Sequence, residues 1–383
     1  MSIQTSTTRT PVRVLLLTLA AIATVLAACT GVQPGPTGAS GSGPKPSSPF
    51  DPTTQPAVTG PLLAYRASDE IGLVDGTKVV AKAAGEFPPA NDLIATEDDR
   101  FVFARTADGR LAVIDVANRR GTTRPIPVGP VLGTAGQSTI VWWEQPDRLM
   151  RLDLADPNSQ PVLAQAVALP PVAGGQSGEP RLLVARGGTA VLARVEGPPS
   201  PFGGPDTLYA VRGPGAPSPL GQVDANSPVS VARLSPDGAS LAYAVYRATD
   251  AGCGAAAVVQ SNANGAQQTF EVAGSDAAAG SRVTKLWWPS EGAPKLSLTT
   301  WRCGRPATDP PVVWQLAGDH IEQTAPPTAA LQTAELEPGR RALILPKTAS
   351  YGEPVGTLVY EESSRRFPIK DGVDAIAVIQ PSP

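Results

Sequence analysis

One short strand-and-turn pattern returns seven times along this chain, and nothing else constrains its fold as tightly. The copies occupy residues 71–76, 111–117, 149–155, 208–213, 257–261, 312–317 and 358–362. Each is a run of apolar, β-branched or aromatic residues ending in a polar turn, the signature of a strand entering a hairpin. Their starts lie 38 to 59 residues apart, a repeat scale that belongs to propellers and arrays. A single copy cannot bury its own faces, so the copies must stack.

A second recurring piece precedes each copy. Its clearest form spans residues 229–244, a strand, the turn Ser235, Pro236, Asp237, Gly238, and a second strand. Pro236 presets φ for the turn, and Gly238 supplies the positive φ such turns often need. Weaker forms lie at 94–103, 133–142, 184–192, 286–296 and 336–344. Each unit thus reads as strand a, tight turn, strand b, variable loop, strand c, turn, strand d. Four antiparallel strands per unit make a propeller blade.

The turn from Ser235 to Gly238 followed by an apolar strand resembles the repeat of TolB-type and related WD-repeat-like bacterial propellers. The likeness extends over residues 62–379, and it implies fold rather than activity, because propellers host many unrelated functions. The first unit, residues 61–82, has strands b, c and d but no strand a, whereas the apolar run 374–379 has no hairpin partner. That run is expected to serve as strand a of the first blade and to close the ring, removing the exposed edges. The expectation is an all-β, seven-bladed β-propeller of four-stranded antiparallel blades filling residues 61–383. Six blades follow if the second and third units merge. The 38 Gly and 42 Pro suit dense turns and exclude long helices.

The N-terminus carries an address. Arg9 and Arg13 precede an apolar run at 14–28, too short for a bilayer core that needs about 20 helical residues. A basic start, a short apolar stretch and small residues form a secretory signal. Leu26, Ala27, Ala28 and Cys29 resemble the lipobox of bacterial lipoproteins. The resemblance implies a signal peptide at 1–28 and diacylglycerol on Cys29. It places the chain outside the cell membrane, or in the periplasm or outer membrane of a two-membrane cell. An ordinary signal with a chance cysteine is the alternative. Residues 30–60 are rich in Gly, Pro, Ser and Thr, a tether whose root-mean-square span is roughly 30 Å. After the signal is removed, 29 basic residues face 34 acidic ones, which leaves no electrostatic footprint for nucleic acid.

With Cys29 lipidated, Cys253 and Cys303 remain, an even pair in an oxidising compartment. Both fall in b–c loops of neighbouring units, the fifth and the sixth, so a disulfide is expected; two lone cysteines make a poor metal set. His320 is the only histidine and sits in the turn into strand d of the sixth unit, which excludes multi-histidine zinc sites. No nucleotide, haem or nucleophile-elbow motif occurs, so no cofactor and no catalytic residue is predicted. The acidic stretch Glu97, Asp98, Asp99 reads as a solvated hairpin tip.

The last four b–c loops are long, and loops on a rigid scaffold commonly carry binding residues. They display Phe202, Trp301, Arg302, Arg305, Tyr351 and Glu353, the aromatic-plus-arginine mix of interface anchors. Unselected drift of Pro-rich loops is the bland alternative. The function expected is a membrane-tethered, non-enzymatic binding or scaffold propeller for an envelope protein or a cell-wall glycan. The rival is a propeller enzyme acting on polysaccharide or using a quinone-type cofactor. An enzyme calls for converging carboxylates, or for cations around a cofactor-sized cavity, whereas a scaffold calls for an exposed aromatic patch without buried charges.

Overall fold

Short apolar runs punctuated by Gly, Pro and Asp favour strands over helices, and every regular element among the described residues is a strand. The structure, a computed structural model, describes residues 60–89, 93–172, 177–198, 204–224, 227–248, 253–262, 265–272, 278–305, 307, 309–347 and 353–380. The chain divides into residues 1–56 and residues 57–383. The first unit lies outside the described residues, as do the signal peptide, Cys29 and nearly all of the tether.

The strands follow one another as antiparallel meanders. The first three are β1 (Leu62–Ala67), β2 (Glu70–Asp75) and β3 (Lys78–Ala84). One four-stranded sheet holds β4 (Ile94–Ala95), β5 (Phe101–Arg105), β6 (Arg110–Asp115) and β7 (Arg120–Pro127). The next holds β8 (Leu132–Thr134), β9 (Thr139–Glu144), β10 (Arg148–Asp153) and β11 (Val162–Ala166). A third holds β12 (Arg181–Arg186), β13 (Thr189–Val195), β14 (Asp206–Arg212) and β15 (Ser218–Gln222).

Two further meanders follow. One comprises β16 (Val231–Leu234), β17 (Ser240–Ala248), β18 (Gly254–Asn262) and β19 (Gln267–Val272). The other comprises β20 (Ala279–Trp287), β21 (Lys295–Arg302), β22 (Val312–Ala317) and β23 (His320–Gln323). Their outer strands β19 and β23 pair in parallel, which merges the two into one sheet. The chain ends with β24 (Gln332–Glu337), β25 (Arg340–Pro346), β26 (Gly356–Glu362) and the long β27 (Arg365–Ile379).

β27 serves two neighbours. Its first part pairs with β26, and its last part pairs with β1 in the register Leu62 with Ile379 and Arg66 with Ala375. The expected C-terminal partner for the incomplete first unit is therefore in place. The second and third units do not merge, since β4–β7 and β8–β11 form separate sheets. Successive four-stranded meanders, with β27 laid against β1, are β-propeller architecture.

The core is divided between neighbouring meanders because adjacent strand residues point to opposite sheet faces. Trp142 packs with Phe103 and Val113 of the preceding unit, while Trp143 packs with Leu182 and Leu192 of the following one. Trp287 and Trp288 split the same way, the first toward Leu343 and Val359, the second toward Val258 and Phe270. At the join, Leu62 packs with Ile379, Ile71 and Ile114, whereas Leu63 packs with Ile344, Leu358 and Ile376. Paired indoles thus wedge the third and sixth meanders against both neighbours, and aliphatics do the same at the join.

One turn recurs. Ser235 Oγ donates to Asp237 Oδ1 and accepts from Ser240 N, with Gly238 at φ +68°. Thr106, Asp108, Gly109 and Arg110 repeat the arrangement, as do Thr96, Asp98, Asp99 and Phe101. Asp99 takes the glycine position at φ 53°, a conformation acidic side chains tolerate better than most.

Candidate binding site among the inner strands

In each meander, the start of strand a and the b–c loop lie at the same end. At that end lie Cys253, Trp301, Arg302, Cys303, Arg305 and Glu353. Cys253 and Cys303 form a disulfide with α-carbons 5.6 Å apart, and Cys303 N also donates to Ala278 O at 2.8 Å. Phe202 and Tyr351 lie outside the described residues. Trp301 is half-buried rather than a free anchor, because it faces Gly280 across the β20–β21 ladder. A Cβ on Gly280 would sit 2.4 Å from the indole, so the missing side chain is what lets the ring lie down. Arg302, Arg305 and Glu353 are exposed, and among the described residues their side chains join no ion pair or hydrogen bond.

A cavity of about 400 Å³ opens at this same end, between the inner strands of the first five units. Its walls include Phe103, Leu132, Leu182 and Val231, and four arginines border it: Arg66, Arg105, Arg181 and Arg233. No acidic residue is among its lining. The volume falls within the range of small-molecule sites, which pair apolar walls with a few fixed polar groups.

Buried carboxylates hold two of the four arginines from behind. Arg66 donates through Nε and Nη2 to Asp374 at 2.9 and 2.6 Å, with both side chains about 5% exposed. Arg181 makes the same fork to the fully buried Asp206 at 2.9 and 2.7 Å. Both are bidentate pairs, the geometry that fixes a guanidinium plane most firmly. Arg105 differs. Among the described residues it donates only to the backbone oxygens of Val128 (3.3 Å) and Thr106 (3.5 Å), which leaves three of its five N–H donors without a bond there.

Asp69, Glu70 and Glu196, near this end, are already engaged. Tyr65 donates to Glu70 at 2.6 Å while Lys370 reaches Glu70 and Asp69. Tyr209 and Arg194 close on Glu196 in the same manner. Burial pushes the Glu196 carboxyl up, but hydrogen bonds from Tyr209 and Arg194 outweigh it and hold the group below the usual carboxylate range. Glu70 behaves alike, burial being overcome by bonds from Tyr65 and Lys370.

At the opposite end, Glu97, Asp98 and Asp99 are not a solvated tip. Glu97 accepts from Thr134 Oγ1 and from Gly187 N, Asp98 from Ser138 Oγ, and Asp99 from Gln380 N. The turn ties its own unit to the next two and to the chain's end. Burial raises the Asp99 carboxyl and lowers the nearby Arg186 guanidinium. His320 is half-exposed beside Asp319, as a surface turn residue should be.

The cavity arginines were not legible singly, yet a register signal exists. Arg66, Arg105, Arg194, Arg247 and Arg302 each stand last or next to last in a strand b. Only Arg302 was read from sequence as a site residue.

No family model matches this chain, and no curated protein does. Solved structures of similar fold exist at low identity. A functionally unknown protein from Desulfotomaculum acetoxidans is 10% identical at TM-score 0.50, the match covering 85% of this chain and all of that one. Dihydro-heme d1 dehydrogenase NirN in complex with DHE is 14% identical at TM-score 0.48, covering 86% and 77%. The Cps50 (Swd1) β-propeller domain of Myceliophteria thermophila is 13% identical at TM-score 0.40, covering 75% and 90%. Such likeness concerns the fold alone.

Proposed function

We propose that the chain is an exported lipoprotein, anchored through Cys29, whose seven-bladed propeller binds a ligand at the loop end of its inner strands. Seven blades are supported by the core, which divides into seven clusters, each shared by consecutive meanders and one shared by the last and first. Asp374 to Ile379 then act as the innermost strand of the first blade and close the ring. The lipid and tether set the propeller off the membrane, facing envelope proteins or cell-wall glycans.

The arginine-bordered cavity carries the binding reading. Among the described lining residues there is no carboxylate, histidine, cysteine or lysine to act as acid, base or nucleophile. Polysaccharide hydrolysis needs paired carboxylates, so that reading finds no support in this cavity. One observation favours a second reading: cations around a cavity of this size also suit a propeller enzyme holding an anionic quinone-type cofactor. Absorbance of the protein purified from its own envelope separates the two, since a bound quinone adds a visible band.

The anchor is tested by fractionation. Wild-type protein should sediment with membranes and be extracted by detergent, and Cys29→Ala should be released or remain unprocessed. A mature, membrane-bound Cys29→Ala protein would refute the address. Partner capture from the envelope tests the binding face, with Arg105→Glu expected to lose what wild type retains.

A further inference from the structure

Resting on the binding reading above, we infer that the cavity is a receptor site for a small organic anion, a carboxylate or phosphate carried on an apolar body. Three observations converge. The uncharged wall is formed by Phe103, Leu132, Leu182, Val231 and neighbouring aliphatic residues, with Ser230 its one hydroxyl, so it favours a ligand with an apolar body. Four arginines and no acidic residue line the space; Arg66 and Arg181 already hold buried carboxylates, so Arg105 is the cation that favours an anionic polar end. Arg105 keeps three donors unused beside the cavity and has no carboxylate partner among the described residues.

The protein's own ion pairs show what these arginines accept. Arg66 and Arg181 each take a carboxylate in a two-pronged fork, and the same planar donor set matches carboxylate and phosphate oxygens. Those two forks also fix Arg66 and Arg181 in place without ligand, so the site is preorganised and little ordering accompanies binding. A guanidinium against low-dielectric walls attracts an anion more strongly than one in open water. The chain's mildly acidic overall charge makes this basic spot local rather than a general attraction for polyanions.

Calorimetric titration of the full chain carrying Cys29→Ala tests the assignment with three probes: 4-phenylbutyrate, its neutral counterpart 4-phenylbutan-1-ol, and inorganic phosphate. The acid should bind at least about tenfold more tightly than the alcohol, the worth of one charged hydrogen bond. Added salt should weaken the acid and leave the alcohol unchanged. Arg105→Met should reduce the difference between acid and alcohol several-fold, and Arg105→Lys should restore part of it. Arg151→Met, at an exposed arginine beside a separate cavity of about 330 Å³, should change nothing. If phosphate alone binds as tightly as the acid, the apolar walls play no part and the assignment fails. Equal binding of acid and alcohol, or binding of neither by a protein with wild-type melting behaviour, overturns it as well. These outcomes do not depend on where Cys29 places the chain, so the two proposals fail separately.

Discussion

Asp374→Ala should destabilise the protein by about 3–5 kcal/mol, although only nine residues follow it in the sequence. The magnitude follows from its surroundings. Asp374 begins the stretch of β27 that pairs with β1, and its carboxylate receives two hydrogen bonds from Arg66 at 2.9 and 2.6 Å. Both side chains are about 95% buried, so alanine leaves a guanidinium desolvated without its counter-charge. Breaking one side of a buried pair costs that much because the remaining charge is uncompensated. Replacing both partners, Arg66→Met with Asp374→Leu, should recover most of the loss, since apolar residues of similar volume need no partner there. Urea unfolding followed by tryptophan fluorescence reads the difference. A loss below about 1 kcal/mol in Asp374→Ala would mean that the C-terminal strand does not seat against β1, and the join would have to be redrawn.

Three further predictions concern stability. Changing Cys253 and Cys303 together to Ser should cost about 4 kcal/mol, the chain-entropy value for a 50-residue separation, and free-thiol labelling of the unreduced wild type should find neither cysteine. Gly238→Ala should cost about 1–3 kcal/mol by thermal melting, because Gly238 has φ +68° and its new Cβ would lie 2.5 Å from Arg186 O. A carboxyl held below its unfolded value near 4.3 adds stability above that pH and gives it up as pH falls through the lowered folded value. Glu196→Gln should therefore be less stable than wild type at neutral pH, with the gap closing in acid; a gap independent of pH would remove Glu196 from the account.

Much of the scaffold was legible because it rests on local chemistry. The Ser235 to Gly238 turn declares itself through Pro and Gly, and its hydrogen bonds recur at Thr106 and Thr96. Adjacent tryptophans at 142 and 143 announce packing on both faces of one strand. The pairing of residues 374–379 with β1 is legible from a strand missing at one end and unpaired at the other. The site was harder to read. Arg66, Arg105 and Arg181 are far apart in sequence, and only the folded strands bring them around one space. The place of Arg66 and Arg105 at the ends of b strands is visible in sequence but looks like ordinary solvent-facing charge, and Arg181 opens a strand a with no such signal. Trp301 was misjudged for a related reason: loop adjacency suggested exposure, whereas a glycine on the neighbouring strand lets the indole lie down.

The most direct test of the account is a crystal structure of the full chain with Cys29→Ala, grown in 4-phenylbutyrate. It should contain seven four-stranded blades joined by residues 374–379 against β1, with the ligand's carboxylate within hydrogen-bond distance of Arg105 and its ring against Leu132 and Leu182. An empty cavity with ligand bound elsewhere, or a C-terminal strand that does not pair with β1, would contradict it.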